Sequence, residues 1–509
     1  MALGALGAVL LALGAGSTPG VASAGTRAAS RAGATALSPG ALGDLLTYGY
    51  DNSRSADDPA DARITGLSSS PVWNDDALDG AVYGEPLVDG TTVYVATEND
   101  SIYAISAASG KVLWHLHVGN AVNLSVVDSA PTVGRGCGDI DPLGITGTPV
   151  IDPAKNVLFA AEETEVSGGD TWQGIRHWLV GVSLTTHRVL WHRDIDPPNA
   201  NSPASYYIPA EQQRPAVTLA NGRLYVPFGG LDGDCGQYHG YLVAVAESGA
   251  GPIESYEVPT QREGAVWETE GTLVSPQGNP YIATGNGSSR STRQYDEGDS
   301  VVELSPALRR IGVWAPSNWV QLNEDDWDLG SAGPIEVPGT TLLFVAGKPA
   351  WPATDLFGIK NGSFGYLMSE GHLEGVGHGA YTGRVCTGGG DFGADASDVL
   401  GRGRAERVVI YVACGSGTEA LQVNTVARTF RQLWSASSGS TNGSPIVAGG
   451  IVWALAWNSA GLYGMDPSTG RVLLERATEP LDHFVAPAAG DDMLFVPTTG
   501  GVEAFRALG

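Results

Sequence analysis

The chain has 509 residues, with 71 glycines, 16% charged residues and a formal net charge of −27. Abundant glycine with sparse charge suits short strands joined by tight turns, so one large closed β architecture accounts for the length. The acidic balance excludes nucleic acid, since phosphate binding needs a basic surface, and offers no attraction to anionic membranes.

Leu3 to Leu13 is an apolar run of h-region length, followed by Ala22-Ser23-Ala24, a small-x-small cleavage site. This predicts a signal peptide over 1–24 and a secreted, extracellular protein, although no Lys or Arg precedes the run. The run is too short to cross a bilayer and no later one is long enough, so no membrane span is expected. No cysteine follows the run to carry a lipid anchor. Residues 25–70, with TYGYDNSRS as their firmest pattern, are expected to form an extended lead-in over one face of a single domain spanning 71–509.

Residues 80–118 hold the clearest unit: GAVYGEPLVDG, TTVYVATEND, SIYAISAASG and KVLWHLHV. These are four β-rich runs of period-2 alternation separated by Gly, Asp and Asn turns. The unit recurs with decay, for instance as GITGTPVIDPAKNVLFAAEE, RPAVTLANGRLYVPFGG and SPIVAGGIVWALAWNSAGLYGMDPSTGRVLLE. Four strands per repeat is the signature of propeller blades. First strands are expected near Gly84, Ile145, Pro215, Trp267, Ala332, Asp391, Ser444 and Val485, which predicts an all-β, eight-bladed β-propeller. Seven blades are the alternative, because the repeats over 332–437 are irregular. The last copy stops at VEAFRALG after its third strand, and SSPVWNDDA near the N-terminus reads as a fourth strand with no copy before it. Joining the two would close the ring and leave no free edge. Residues 164–176, 287–298 and 349–360 interrupt the pattern as long loops, where binding usually resides.

Export makes the four cysteines readable as disulfides, with three pairings open. Cys137 and Cys235 lie in Gly-rich loops of neighbouring repeats, and Cys386 and Cys414 lie on the first and second strands of one repeat. That placement favours Cys137–Cys235 and Cys386–Cys414, with free or metal-binding thiols as the alternative.

The blade ending Ala104-x-Ser106-x-x-Ser109-Gly110-Lys111-x-x-Trp114 resembles the tryptophan-docking motif of quinoprotein dehydrogenases, which use pyrroloquinoline quinone (PQQ). Trp191, Trp314 and Trp434 sit in related positions, and such tryptophans are structural. EGAVW, ending at Trp267, resembles the motif that floors the quinone, and IATGN, ending at Asn286, resembles the strand carrying the metal-binding Asn. DDWDLG resembles the catalytic segment and implies Asp328 as the general base, while KNGSFGYL implies Lys360 as the basic residue that meets the quinone oxygens. Lys348 in VAGK is its rival, and these are two of only four lysines. GGLDGDCGQYHGY stands where the family carries a Glu ligand and offers Asp232 or Asp234 in its place. The resemblance implies PQQ and Ca²⁺ as cofactors, with hydride leaving an alcohol, polyol or sugar while a base takes the hydroxyl proton. A Ca²⁺ on hard oxygen ligands would polarise the quinone carbonyl.

The chain departs from that family in several places. The vicinal Cys-Cys that covers the quinone in many members is absent, and Gly330 stands where lanthanide users carry a second acid. No CxxCH haem site exists, so electrons would leave through a separate acceptor. Each site residue also has a plain structural reading: Asn286 as a turn before Gly287, Asp328 as a loop cap, Trp267 as packing between blades, Lys360 as an exposed turn. The competing expectation is therefore a cofactor-free secreted propeller that binds a protein or a glycan. Hydrolase signatures such as a nucleophile elbow or HExxH are missing.

Overall fold

The computed structural model describes residues 43–60, 63–75, 78–198, 207–348, 363–386, 389–436 and 443–509. The signal-peptide segment 1–24 and the whole of the 349–360 insertion, Lys360 included, lie outside the described residues.

Eight antiparallel sheets carry the chain, so the seven-bladed alternative falls away. The first blade comprises Leu87–Asp89, Thr92–Thr97, Ser101–Ser106 and Val112–His117, with register pairs such as Tyr94↔Ala104. First strands of the following blades begin at Val150, Thr218, Leu273, Ile335, Ala396, Ile446 and Ala488, a few residues after each expected start. The fourth blade, of which Arg310–Ala315 is the outermost regular strand, adds Glu374–Val376 in parallel at its rim. This borrowed strand disturbs the repeat pattern near 332–437. The eighth blade consists of Ala488–Gly490, Met493–Thr498 and Gly501–Leu508, and Trp73–Asp75 pairs along its last strand (Trp73↔Ala504, Asp75↔Val502).

Faces of adjacent sheets bury the alternating apolar residues between them. Ile102 and Ile105 of the first blade share a core with Leu158, Val180 and Val182 of the second. Tryptophans link neighbouring blades: Trp73 Nε1 donates to the Ala107 carbonyl at 2.7 Å, and Trp434 Nε1 to Pro467 at 2.9 Å. The ring of Trp73 lies over Gly110, whose φ of 71 and missing side chain both suit the close approach. Trp114 stacks on His187 of the second blade, with ring centroids 5.0 Å apart.

The lead-in crosses the inner strands through a series of main-chain bonds, with a few side-chain bonds beside them. Carbonyls of Leu45, Leu46, Asn52, Ser53, Ser55 and Ala56 accept from Val88, Ile151, Val274, Glu336, Ser397 and Val447, which belong to six different blades. Tyr48 packs among Ala216, Ala394 and Ala486, and the buried Arg54 guanidinium donates to the Tyr48 and Thr272 carbonyls, both at 3.0 Å. This strap ties the first strands of six blades together.

Two disulfides are present, Cys137–Cys235 and Cys386–Cys414, the pairing that loop placement favours.

Candidate functional site

Loops between blades enclose a cavity of about 720 Å³ with Trp267, Lys348, Arg214, Asp232, Asp234 and Asp326 among its lining residues. Trp267 precedes the first strand of the fourth blade. Its ring lies against Gly229, where a Cβ would stand 2.6 Å from the indole, and its Nε1 donates to the Gly230 carbonyl at 2.9 Å. The pyrrole edge is thereby pinned while the ring remains part of the cavity wall.

Asp328 follows the short helix Trp319–Asp325, which ends on Asp326 in the left-handed conformation (φ 55). The Asp328 side chain is fully buried, and its Oδ1 accepts the Asn286 N–H at 2.6 Å. Gly285 permits this approach, because a Cβ there would stand 2.5 Å from Asp328 Oδ1 and 3.3 Å from the Trp267 ring. Lys348 leaves the end of Leu342–Ala346 and places Nζ 2.5 Å from Asp328 Oδ2, 3.3 Å from Asp326 Oδ1 and 5.6 Å from the centroid of Trp267. Burial pulls the ammonium down, but Asp328 and then Asp326 outweigh it and hold the proton more tightly than in a free lysine. A carboxylate with no exposure needs a compensating cation, and Lys348 supplies it.

Trp267, Asn286, Asp328 and Lys348 thus come together, with Asp232 and Asp234 on the facing loop. Asp234 accepts from the Tyr238 hydroxyl, and burial pushes its carboxyl above the usual range. The Cys137–Cys235 bridge and the Gly138 N–H to Asp232 carbonyl bond (2.9 Å) fix that loop at the cavity lip.

Sequence reasoning missed three contributors. Arg214 donates through Nη2 to the Trp267 carbonyl (3.1 Å), lies 4.6 Å over the Phe484 ring, and has a buried Nε with no acceptor. Burial brings its pKa down to about 10. Asp326 holds both Lys348 and, at 3.0 Å, the Asn286 Nδ2. His483 meets Asp139 at 3.2 Å, and both line the cavity. Of these, only Asp326 stood inside a motif, DDWDLG; Arg214 and His483 carry no local signal.

A flat anionic ring system fits a cavity walled by an indole and flanked by two cationic side chains, one with an unmatched donor. For a metal, no group of three His, Cys, Asp or Glu side chains converges among the described residues. The Asn286 Oδ1 is nevertheless buried without a hydrogen-bond partner, and carboxylates of the Asp232 turn face the same cavity. That donor set fits a hard cation that draws its remaining ligands from a bound organic group.

The match to known proteins extends over most of the fold. A polyvinylalcohol dehydrogenase of Sphingopyxis sp. (strain 113P3) is 23% identical over 273 residues, which is 48% of this chain and 34% of that protein. The chain therefore matches about a third of that relative's length. A quinohemoprotein alcohol dehydrogenase from Pseudomonas putida HK5 superposes with a TM-score of 0.61 at 13% identity, covering 91% of this chain and 80% of the other. Its counterpart from Comamonas testosteroni gives 0.59 at 14% identity with the same coverage. These structures share the fold of the chain. The family described as outer membrane protein assembly factor BamB matches residues 60–329, more than half of the sequence, and the chain belongs to this family of PQQ-like propellers.

Proposed function

We propose that the protein is an exported dehydrogenase that oxidises an alcohol, polyol or sugar with PQQ and Ca²⁺ bound over Trp267. The observation that supports this most strongly is the buried Asp328–Lys348 pair beside the indole, in a cavity where Arg214 offers an unmatched donor. PQQ, when bound, supplies the acceptor for the hydride of the carbinol carbon. Asn286 N–H fixes one oxygen of Asp328, so the other is held toward Lys348 and can take the hydroxyl proton of a substrate. Lys348, kept protonated by Asp328 and Asp326, orients an N–H toward the space over the ring. Arg214 would hold a carboxylate of the cofactor, and Asn286 Oδ1 with Asp234 or Asp232 would hold the metal. Lys360 remains the alternative basic group for the quinone oxygens. The two electrons would need a separate acceptor, and two disulfides support an oxidising compartment.

The experiment is reconstitution of the purified chain with PQQ and Ca²⁺, read by the absorption spectrum and a dye-linked screen of alcohols, polyols and sugars. Cofactor uptake with substrate-dependent dye reduction is expected. Failure to take up PQQ would reject the enzyme reading in favour of a propeller that binds a protein or glycan.

A further inference from the structure

The residues lining the cavity fall into two groups that meet at Arg214. Trp267 and Asp326 form one group, tied together through Lys348. Asp139, Trp457, His483 and Phe484 form the other, and neither the quinone nor the metal assignment uses any of them. Arg214 joins the two, donating to the Trp267 carbonyl at 3.1 Å and lying 4.6 Å over the Phe484 ring. His483 is the hub of the second group. Its ring centroid stands 4.5 Å from that of Phe484, 5.4 Å from Tyr83 and 6.3 Å from Trp457, edge to face in each case. Phe484 holds φ 63, a conformation uncommon for a bulky residue, and such departures gather where function fixes the backbone.

The polar atoms of this second group are acceptors. Asp139 Oδ2 stands 3.2 Å from His483 Nε2, and the Asp139 side chain is 46% exposed. Burial lowers the His483 pKa against the opposing pull of Asp139, so the ring is neutral at pH 7. The carboxylate favours the ring proton on Nε2, which leaves Nδ1 an acceptor alongside the Asp139 oxygens. Acceptors are matched by hydroxyl donors, and the rings of Trp457 and Phe484 by apolar C–H faces. Sugars and polyols carry both. A monohydric alcohol commits its one hydroxyl to Asp328, and its alkyl chain would strip water from the imidazole and the carboxylate without replacing it. A sugar acid would meet the like charge of Asp139.

We propose that Asp139 and His483 receive a second hydroxyl of the substrate, so that the protein oxidises sugars or polyols in preference to monohydric alcohols. This rests on the dehydrogenase reading and narrows its substrates to polyhydroxylated ones. His483 is a specificity residue: it meets the substrate away from the carbon that is oxidised and takes no part in proton removal. A site that hydrogen-bonds a substrate hydroxyl discriminates strongly against analogues lacking it, because its polar groups are then left unmatched.

The test compares sorbitol with 1-propanol on the full chain. In protein loaded with PQQ and Ca²⁺, kcat/KM from dye reduction should be higher for sorbitol. His483→Phe should lower the sorbitol-to-propanol ratio about tenfold, the loss of one hydrogen bond, chiefly through KM. His483→Asn, whose amide oxygen can stand in for Nδ1, should recover most of the ratio. In the cofactor-free protein, sorbitol should shift the tryptophan emission saturably, since Trp267 and Trp457 line the cavity, and His483→Phe should abolish the shift. A loaded parent that treats the two alcohols alike or favours 1-propanol overturns the proposal and leaves the dehydrogenase reading standing. So does a His483→Phe variant that keeps the parent's ratio. A parent that takes up no PQQ removes the dehydrogenase reading, and an emission that ignores sorbitol then removes the polyol site with it. The parent measurements decide the matter even if a variant fails to fold.

Discussion

Replacing Lys348 with Met removes the only cation in ion-pair contact with Asp328 among the described residues while keeping most of the stem volume. Breaking one side of a buried pair typically costs about 3–5 kcal/mol, because the remaining charge is left unmatched. Two features reduce that here: the Lys348 side chain is 25% exposed, and Asp328 keeps the Asn286 N–H at 2.6 Å. A loss of about 2–3 kcal/mol is expected. Asp328→Asn alone leaves Lys348 partly solvated and still beside Asp326 at 3.3 Å, so it should cost about 1–2 kcal/mol. Combining both substitutions removes both charges, and the double variant should be more stable than Lys348→Met alone. The cycle should therefore give a coupling larger than the cost of Asp328→Asn alone, about 2–3 kcal/mol between the two positions. Guanidinium unfolding midpoints of the four proteins, compared at constant slope, measure it. If Lys348→Met unfolds with the parent, or the effects simply add, the ion pair does not organise the site.

Three further outcomes follow from the same geometry. Removing Cys137–Cys235, which closes a 98-residue loop, should cost about 4–5 kcal/mol on the chain-entropy scale, and more than removing Cys386–Cys414, which closes 28; the reverse order in unfolding midpoints would contradict this. Burial raises Glu85 to about 8, against the opposing Gly49 N–H and Arg54, so its contribution to stability is complete below its ordinary carboxylate pKa and is lost as pH rises through 8. Melting temperatures between pH 5 and 8 should therefore fall less steeply in Glu85→Gln, and parallel curves would refute the assignment. Arg214→Met should weaken PQQ uptake about tenfold or more, the loss of one charge-assisted hydrogen bond, with little change in melting temperature; unaltered uptake would remove Arg214 from the cofactor reading.

Blade architecture was legible because alternation and turn residues are local: GAVYGEPLVDG and its copies carry both within a few residues, and the strands appear close to the expected starts. The disulfide pairing followed because cysteine loops in adjacent repeats become neighbours in a ring. Trp267, Asn286 and Asp328 were legible from short motifs, and the structure gathers them with Lys348. Arg214 was not, since its place beside Phe484 depends on loops 270 residues apart in sequence packing at one end of the ring. The strap over 43–58 was only partly legible, because many of its bonds run through main-chain carbonyls that leave no side-chain signature. The Lys348–Asp328 contact likewise depends on how two loops meet, which no single motif encodes.

The central claim is that the cavity takes PQQ and that Asp328 removes the substrate proton. Its most direct measurement is parallel reconstitution of the parent and Asp328→Asn with PQQ and Ca²⁺, scoring bound cofactor and alcohol-dependent dye reduction on the same samples. The account predicts PQQ bound by both proteins and dye reduction by the parent alone. Dye reduction surviving in Asp328→Asn, or no PQQ bound by the parent, would contradict it.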